Sequence, residues 1–324
     1  MKRIIAVLLT LMLIACSCAF AEDITIAGIV FQDDQFMNTM TQGYKDAAAD
    51  LGVEILTANT NNDQAREVEL INTYMTQDVK GIAIDVLSAE ASIAALRAAN
   101  AQGMEVCLVD QKFEGVDFIA GNFCSDNYVN CSLVGEIAAQ VISEKYGDET
   151  VKIAIVQFAS QLPELSASRV EGYLAALDSF GVKYEIVANQ DAWLQDMAID
   201  VVGSIITANE DLNVILAMND GGTIGSAMAV VNAGLSEEIM VFGHDGSDQI
   251  SSMVLDDSNP LIAVVAQDPY TQGYMAVETL VKAIRGEEIT TRGSSTIVPG
   301  TVLSSLDKEA VKEWRVAQGY TAEP

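Results

Sequence analysis

The residues ITIAGIV at positions 24–30 begin the pattern that decides the fold. They form a short apolar run rich in β-branched side chains, and residues 40–51 follow with apolar side chains at helical spacing. The same succession returns with VEILT at 53–57 and GIAID at 81–85, each followed by a longer stretch of helical period. Strands that alternate with helices are typical of βαβ units, so the sequence predicts an α/β fold with helices on both faces of a parallel sheet.

The alternation runs on to a strand at 105–109 and starts again after a loop at 125–127. In this second series the predicted strands cover 151–158, 183–187, 214–217 and 240–244, and the predicted helices cover 128–146, 166–179, 196–208 and 221–233. A strand at 262–267, a helix at 269–285 and a Gly/Ser/Thr-rich loop near 292–295 follow. Two similar α/β halves in tandem are the simplest interpretation, and each sheet could take in a returning strand from the last part of the chain.

Composition bounds the class of protein. The chain has 324 residues, which is enough for about two domains. Half of its residues are apolar and only 5 are prolines, a composition typical of globular proteins. The formal net charge of −29 repels phosphate backbones and anionic headgroups. Nucleic acid and anionic membrane surfaces are therefore not expected as partners.

Residues 1–21 have the features of an export signal peptide. A basic start precedes an apolar run at 4–15, which is too short to span a bilayer as a helix. Two processing sites compete, namely cleavage after Ala21 and lipid attachment at Cys16 in a lipobox-like segment. Cleavage is preferred because fold-like sequence begins at Ile24 and would leave a lipid only a short tether. The protein is expected to be exported to the periplasm or the extracellular face, either soluble after cleavage following Ala21 or anchored by a lipid at Cys16.

Three cysteines remain in the body of the chain, at positions 107, 124 and 131. Cys107 lies in an apolar run and is predicted to be a small buried side chain, whereas Cys124 and Cys131 either pair or stay free. Their number and spacing imply no disulfide scaffold. With a single histidine, His244, the sequence predicts no zinc site, and it indicates no other metal and no cofactor.

Polar or aromatic side chains follow most of the predicted strands. Ligands of open parallel sheets bind beyond the carboxyl ends of the strands, so these positions are candidate binding residues. They are Asp33, Asp34, Phe36, Asp85, Asp110, Gln111, Trp193, Asn219, Asp220, His244, Asp245 and Gln267. Each polar residue alone could cap a helix or make a turn. Together, carboxylates and amides that engage vicinal hydroxyls, and rings that cover the C–H face of a sugar, are the groups needed to bury a polyol.

Five ordered motifs carry a resemblance to a known family. They are Asp33–Met37, Ser168–Tyr173, Asn219–Asp220, Gly243–Gly246 and Ala266–Gln267. With them, nearly the whole chain after the signal resembles the exported solute-binding proteins of bacterial sugar ABC transporters, in the branch of the ribose-binding and galactose/glucose-binding proteins. The resemblance implies two Rossmann-like lobes of the type I periplasmic binding protein fold. It also implies that the chain is not an enzyme, and that it captures a monosaccharide-like sugar and delivers it to an ABC transporter permease.

By position, the resemblance implies a set of ligand-binding residues. Hydrogen bonds to the sugar are expected from Asp34, Asp110, Arg169, Asn219, Asp245 and Gln267, with Asp85 and Gln111 as further contacts. Phe36 and Trp193 are expected to sandwich the sugar ring. With four carboxylates and one guanidinium, the cleft should be acidic, which favours a neutral polyol or a cation over sugar phosphates and acids.

Departures from the family pattern bear on the ligand. Residues 163–165 read PEL where galactose/glucose-binding proteins have a His-x-Asp pair, and no counterpart of their calcium loop lies near residues 145–149, so no calcium is predicted. Asp85 replaces the family's usual asparagine, and His244 stands where ribose-binding relatives carry phenylalanine. Neither glucose nor galactose is therefore singled out as the ligand.

The resemblance also implies that each lobe is discontinuous in the sequence. The expected first lobe comprises residues 22–125 and 268–298, and the expected second lobe comprises residues 126–267 and 299–324. Three crossings, near Ser125, Gln267 and Pro299, then form a hinge that closes the lobes around the ligand. The closed form, expected as a monomer, presents the surface that the permease recognises.

Two other classes of function stay open. The first is an exported enzyme. Residues 217–225 run from a predicted strand into a predicted helix and end in Gly-x-x-Gly, and Asp245 follows the next strand, as in a nicotinamide-binding fingerprint. The leading Gly-x-Gly of that fingerprint is missing. The chain has no Gly-x-Ser-x-Gly elbow, which argues against a hydrolase. The second class is a binding protein of the same fold for a nucleoside or a signalling furanose, or one that serves a chemoreceptor.

Overall fold

The computed structural model of the protein describes residues 24–113 and 115–324. The predicted export signal lies outside these residues, together with both of its alternative processing sites, after Ala21 and at Cys16. Within the described part, no helix is long and apolar enough to cross a lipid bilayer.

Strands and helices alternate along the chain, as the apolar periodicity predicts. The first series is β1 (Thr25–Val30), α1 (Gln35–Leu51), β2 (Glu54–Asn59), α2 (Gln64–Thr76), β3 (Gly81–Ile84), α3 (Ala89–Asn100), β4 (Glu105–Asp110) and β5 (Gly121–Cys124). The second series is α4 (Asn127–Tyr146), β6 (Val151–Gln157), α5 (Pro163–Phe180), β7 (Tyr184–Asp191), α6 (Gln195–Ala208), β8 (Val214–Ala217), α7 (Asp220–Ala233), β9 (Met240–His244), α8 (Asp248–Leu255) and β10 (Leu261–Ala266). The chain ends with α9 (Pro269–Ile284), β11 (Ser295–Ile297), β12 (Thr301–Ser304) and α10 (Lys308–Ala317).

The described strands form two six-stranded sheets. In the first, the order is β11–β5–β4–β3–β1–β2 and all neighbours run parallel. In the second, the order is β12–β10–β9–β8–β6–β7, and among these strands only β12 runs antiparallel to its neighbour. Helices cover both faces of each sheet, since the central strands β3 and β8 are buried along their whole length. The predicted class of two Rossmann-like lobes is confirmed, with one antiparallel edge strand added.

Some element boundaries differ from the predicted ones. Helix α1 begins at Gln35 rather than at Met40, because Asp34 caps it by accepting a hydrogen bond from the Met37 N–H at 2.8 Å. Strand β7 extends past 187 to Asp191, because this exposed edge strand stays paired with β6 to its end. The 4-residue strand β5 and the 8-residue helix α8 are too short for apolar periodicity to predict.

The chain passes from one sheet to the other at three places. Residues 125–126 lead from β5 to α4, residues 267–268 from β10 to α9, and residues 298–300 from β11 to β12. The first lobe is built on the first sheet with α1–α3 and α9, and the second lobe on the second sheet with α4–α8 and α10. In each sheet the strand order reverses beside the first strand, β1 or β6, which opens a crevice at the carboxyl ends of the strands.

The three cysteines of the described chain are buried and free. Cys107 lies in β4, Cys124 ends β5, and Cys131 lies in α4. The Sγ atom of Cys131 is 3.2 Å from Nδ1 of His244. Cys124 and Cys131 therefore do not pair, and both act as small core side chains.

Candidate functional site

A cavity of about 360 Å³, counting the part open to solvent, lies between the lobes at the carboxyl ends of the strands. It is called the central cavity below. The predicted binding residues that line it are Asp34, Phe36, Asp110, Arg169, Asn219, Asp220, Asp245 and Gln267. They come from both lobes, so a ligand held in the central cavity would touch both lobes.

Arg169 on α5 is the cation of the central cavity, and its side chain is buried. Its Nε donates to Asn127 Oδ1 at 2.7 Å, and its Nη1 donates to the carbonyl oxygen of Met218 at 2.6 Å. Nη1 also lies 3.9 Å from Asp245 Oδ2, and the Phe158 ring centre lies 5.2 Å from the guanidinium carbon. These contacts fix the plane of the guanidinium group in the cavity wall.

Asp245 and Gln267 form a second polar group, at the ends of β9 and β10. Asp245 Oδ1 accepts a hydrogen bond from Gln267 Nε2 at 2.7 Å, and its Oδ2 accepts one from the Asp220 N–H at 3.0 Å. Gln267 Oε1 is buried and has no hydrogen-bond partner among the described residues. A buried acceptor without a partner is costly, so a ligand hydroxyl that donates to this oxygen would be favoured.

Asp34 and Asp110 are the carboxyl groups that the first lobe contributes to the lining of the central cavity. Asp110 ends β4 in the left-handed region, with φ of 66°, and Asp245 of the second lobe takes the same region with φ of 72°. Asp110 Oδ1 is buried and, within the described chain, has no hydrogen-bond partner. Asp34 caps α1 with Oδ1, and its Oδ2 accepts a hydrogen bond from Gln32 Nε2. The first lobe therefore also offers a buried acceptor to a ligand.

Four carboxyl groups and one guanidinium group meet in the central cavity. Burial raises the pKa of Asp34, Asp220 and Asp245, and it raises the pKa of Asp110 to about 6. Arg169 opposes this effect at Asp110, Asp220 and Asp245. The cavity is thus rich in acceptors and acidic, and an anionic ligand would add to its charge repulsion.

Asn219, which lies between β8 and α7, connects the start of α7 to the loop that contains Trp193 before α6. Asn219 caps α7 by accepting from the Gly222 N–H at 3.1 Å, and its Nδ2 donates to the Trp193 carbonyl oxygen at 2.8 Å. A Cβ atom on Gly221 would lie 2.3 Å from that same carbonyl oxygen. Close packing of α7 against the Trp193 segment therefore explains this glycine without a bound phosphate.

Asp33 and His244 do not line the central cavity, and neither do three of the ligand-binding residues that the family resemblance implies. Asp85 is fully buried at the end of β3, where burial raises its pKa well above the ordinary value. Gln111 donates from Nε2 to the Val86 carbonyl oxygen at 2.7 Å and lines an adjoining space. Trp193 is half-buried and packs against the hydrophobic core. Ligand contacts by these three residues stay predictions.

Four further residues complete the lining and are not among the predicted candidates. They are Met37, Phe158, Gln161 and Leu165. Phe158 and Leu165 have apolar side chains that the sequence cannot tell from core residues. Gln161 joins the lobes, since its Nε2 donates to Gln32 Oε1 at 2.7 Å and to Asn62 Oδ1 at 2.6 Å. These two hydrogen bonds are called the mouth contact below.

The described residues of this site form neither a metal centre nor a hydroxyl, thiol or amine nucleophile. Within residues 24–113 and 115–324, no group of His, Cys, Asp and Glu side chains is arranged to hold a metal ion. The described residues that line the central cavity include no serine, cysteine, histidine or lysine. His244 is fully buried outside the lining, and burial lowers its pKa well below the ordinary value, so it is neutral.

Several curated proteins are similar to the chain along most of its length. The D-apiose import binding protein of Actinobacillus succinogenes is 28% identical over 288 residues, covering 88% of this chain and 90% of the relative. The ribose import binding protein of Haemophilus influenzae is 26% identical, covering 84% and 89%. The D-allose-binding periplasmic protein of Escherichia coli is also 26% identical, covering 89% and 93%.

Solved structures share the fold. An ABC transporter solute-binding protein from Bacillus halodurans with bound myo-inositol has a TM-score of 0.81 at 18% identity, with 92% of this chain and 99% of that chain covered. One from Actinobacillus succinogenes with bound D-allose has a TM-score of 0.77 at 23% identity, with 87% and 98% covered. The family model described as periplasmic binding protein domain matches residues 26–288. The chain therefore belongs to the periplasmic binding protein family.

Proposed function

We propose that the protein binds a neutral sugar or a related polyol in the central cavity and delivers it to the permease of an ABC transporter. The observation that carries the proposal is the pair of buried acceptors without partners in the described chain, Asp110 Oδ1 and Gln267 Oε1, one from each lobe's strand ends. Each can accept a hydrogen bond from a ligand hydroxyl, and leaving such a group unpaired costs about 1–3 kcal/mol. Phe36 and Phe158 add apolar surface for the C–H groups of a ring.

The relatives support the same class of ligand. The curated proteins named above are called import or binding proteins for apiose, ribose and allose, which are neutral sugars. The family is one of transport binding proteins, so the prediction that the chain is not an enzyme is confirmed. As a periplasmic binding protein the chain is exported, and cleavage after Ala21 is the proposed processing step.

Binding and delivery are linked through the hinge. The first lobe, residues 22–125 and 268–298, turns against the second lobe, residues 126–267 and 299–324, about the three crossings. Closure brings Asp110 of the first lobe and Arg169 of the second lobe to the same ligand. A permease that contacts both lobes then distinguishes the closed, loaded form from the open one.

A ligand screen tests the proposal. The purified protein is heated with neutral monosaccharides and disaccharides, myo-inositol, nucleosides and amino sugars, and every compound that raises Tm is measured by calorimetry. At least one sugar should raise Tm and bind with a Kd of about 1 μM, which is about −8 kcal/mol. A rise in Tm with a nucleoside alone would contradict the sugar class, and no rise with any compound would contradict the proposal as a whole.

Substitutions in the central cavity test the site itself. Arg169→Ala and Asp245→Ala should each weaken sugar binding about 100-fold, because each leaves a buried ligand group without its partner. Both variants should still unfold cooperatively. Arg97→Ala, which removes an exposed arginine that pairs with Asp117 on the first lobe, is the control and should bind normally. Normal binding by both cavity variants would show that the sugar binds elsewhere.

A further inference from the structure

A second cavity lies between the lobes beside the central cavity. Its volume is about 990 Å³ against about 360 Å³, both counting space open to solvent. It is called the side cavity, and residues of both lobes line it, among them Gln111, Phe113, Asp126, Glu164, Leu165 and Ser168. Space between the lobes therefore extends beyond the site described above.

The two cavities share their walls. Leu165 lines both of them. In the first lobe Asp110 lines the central cavity while the next residue, Gln111, lines the side cavity. In the second lobe Arg169 lines the central cavity, while the preceding residue, Ser168, lines the side cavity. Consecutive residues of each lobe thus line the two cavities, which places the cavities side by side.

The lining of the side cavity indicates what it accepts. Gln111 and Ser168 have neutral polar side chains, Asp126 and Glu164 have acceptors only, and Phe113 offers a half-buried ring. Among the described residues that line it, two carboxylates and one cation, Lys112, give a small negative excess, which disfavours phosphate or carboxylate groups. Acceptors beside an aromatic ring fit a second hydroxylated ring.

We propose that the ligand is a disaccharide or another glycoside, with its first ring in the central cavity and its second ring in the side cavity. The inference rests on the proposed function, since it names the class of sugar that the same site takes. It differs from the expectation of a monosaccharide, which the central cavity alone would satisfy. The predicted contact by Gln111 then becomes a contact with the second ring rather than with the first.

Calorimetry with matched probes tests the inference. Glucose, galactose, ribose and allose are compared with their methyl glycosides and with cellobiose, lactose, melibiose and maltose. At least one disaccharide or glycoside should bind about tenfold or more tighter than its free monosaccharides. Ser168→Trp, which fills the side cavity, should lower the affinity for that glycoside to the level of its free monosaccharide. Ala167→Trp, at an exposed neighbouring position that lines neither cavity, is the matched control and should keep the preference.

The outcomes separate the two proposals. A free monosaccharide that binds as tightly as every glycoside containing it would overturn the inference and leave the proposed function intact. An undiminished glycoside preference in Ser168→Trp would also overturn it. Binding of no sugar or glycoside would overturn both. Should Ser168→Trp fail to fold, Glu164→Trp at the exposed side of the same cavity gives the same test.

Discussion

At the scale of single residues, burial and charge oppose each other in the central cavity. Its carboxyl groups are removed from water, which favours their protonated forms, while Arg169 favours their ionised forms. A ligand whose hydroxyls donate to these oxygens stabilises the ionised forms further. Ionised carboxyl groups in the empty site therefore destabilise the folded protein, and a neutral ligand that donates hydrogen bonds to them reduces this cost.

Asp110 allows the energetic cost of a buried carboxylate to be measured. Because burial raises its pKa from 3.8 to about 6, the folded protein holds this proton more tightly than the unfolded chain does. The carboxyl group therefore lowers the stability of the fold progressively as the pH rises through this interval. We expect Asp110→Asn, which stays neutral, to unfold with a free energy about 2 kcal/mol higher than wild type at pH 7.5 and with a smaller gain near pH 4. Urea unfolding at both pH values measures the difference.

Comparing the two pH values separates the effect of charge from effects of the substitution that do not depend on pH. Asparagine tolerates the left-handed conformation of residue 110 well, but that benefit does not depend on pH. Asp200→Asn, at an exposed position on α6, is the control for the substitution itself and should change the free energy of unfolding by less than about 0.5 kcal/mol. An equal gain at both pH values in Asp110→Asn would contradict the expectation.

Part of the site follows from the sequence because topology fixes where strands end. Asp245 and Gln267 come directly after parallel strands, Asp110 is the last residue of one, and Asp34 lies in the loop after β1; the carboxyl ends of these strands meet at one edge of each sheet. Which way a side chain turns there depends on local backbone geometry that periodicity does not encode. Asp85, which directly follows β3, is fully buried, and the sequence pattern does not distinguish it from the residues that reach the cavity.

At the scale of elements, glycines decide how closely helices approach. A Cβ atom on Gly225 of α7 would lie 2.5 Å from Ala198 Cβ and 2.5 Å from the Gln195 carbonyl oxygen, both on α6. Gly225→Ala should therefore lower the free energy of unfolding by about 1–3 kcal/mol, since one helix must move away from the other. Chemical denaturation monitored by circular dichroism measures the loss.

The partner helix provides the matched control. Gly203 lies inside α6, and a Cβ atom there would meet no atom within 4 Å. Gly203→Ala should raise the free energy of unfolding by about 0.5–1 kcal/mol, because alanine loses less backbone entropy than glycine in a helix. Equal effects of the two substitutions would show that helix propensity, and not the contact between α6 and α7, governs Gly225. The sequence shows both glycines but not which one meets a neighbour, so it cannot predict the opposite signs.

At the scale of the whole molecule, the central cavity is bounded by a hinge residue and by the mouth contact. Gln267 lies where the chain crosses between lobes, and Gln161 lies where the lobes meet through side chains. The discontinuous lobes are expected from the family resemblance, but the mouth contact is not. It joins residues that are 129 and 99 positions apart, and no pattern in the sequence connects them.

The mouth contact should favour the closed form. Asn62→Gly removes the acceptor of one cross-lobe hydrogen bond, together with a 3.3 Å hydrogen bond within the first lobe from Asn62 Nδ2 to Gln32 Oε1, and keeps the left-handed backbone, φ of 59°, unstrained. Sugar affinity should fall about 3- to 10-fold, since a hydrogen bond of about 1 kcal/mol is lost from the closed form alone. Asn61→Gly is the control, because residue 61 has the same backbone conformation and its side chain takes no part in the mouth contact. Equal affinities for the two variants, measured by calorimetry, would exclude this role.

The free buried cysteines make the two lobes separately observable. Cys107 sits inside the first lobe and Cys131 inside the second, and neither thiol can meet a reagent until its surroundings open. The rate at which a maleimide alkylates each cysteine, measured by peptide mass spectrometry, therefore reports how often the lobe that contains this cysteine unfolds. Equal rates would mean that the lobes melt as one cooperative unit, and unequal rates would identify the lobe that opens first.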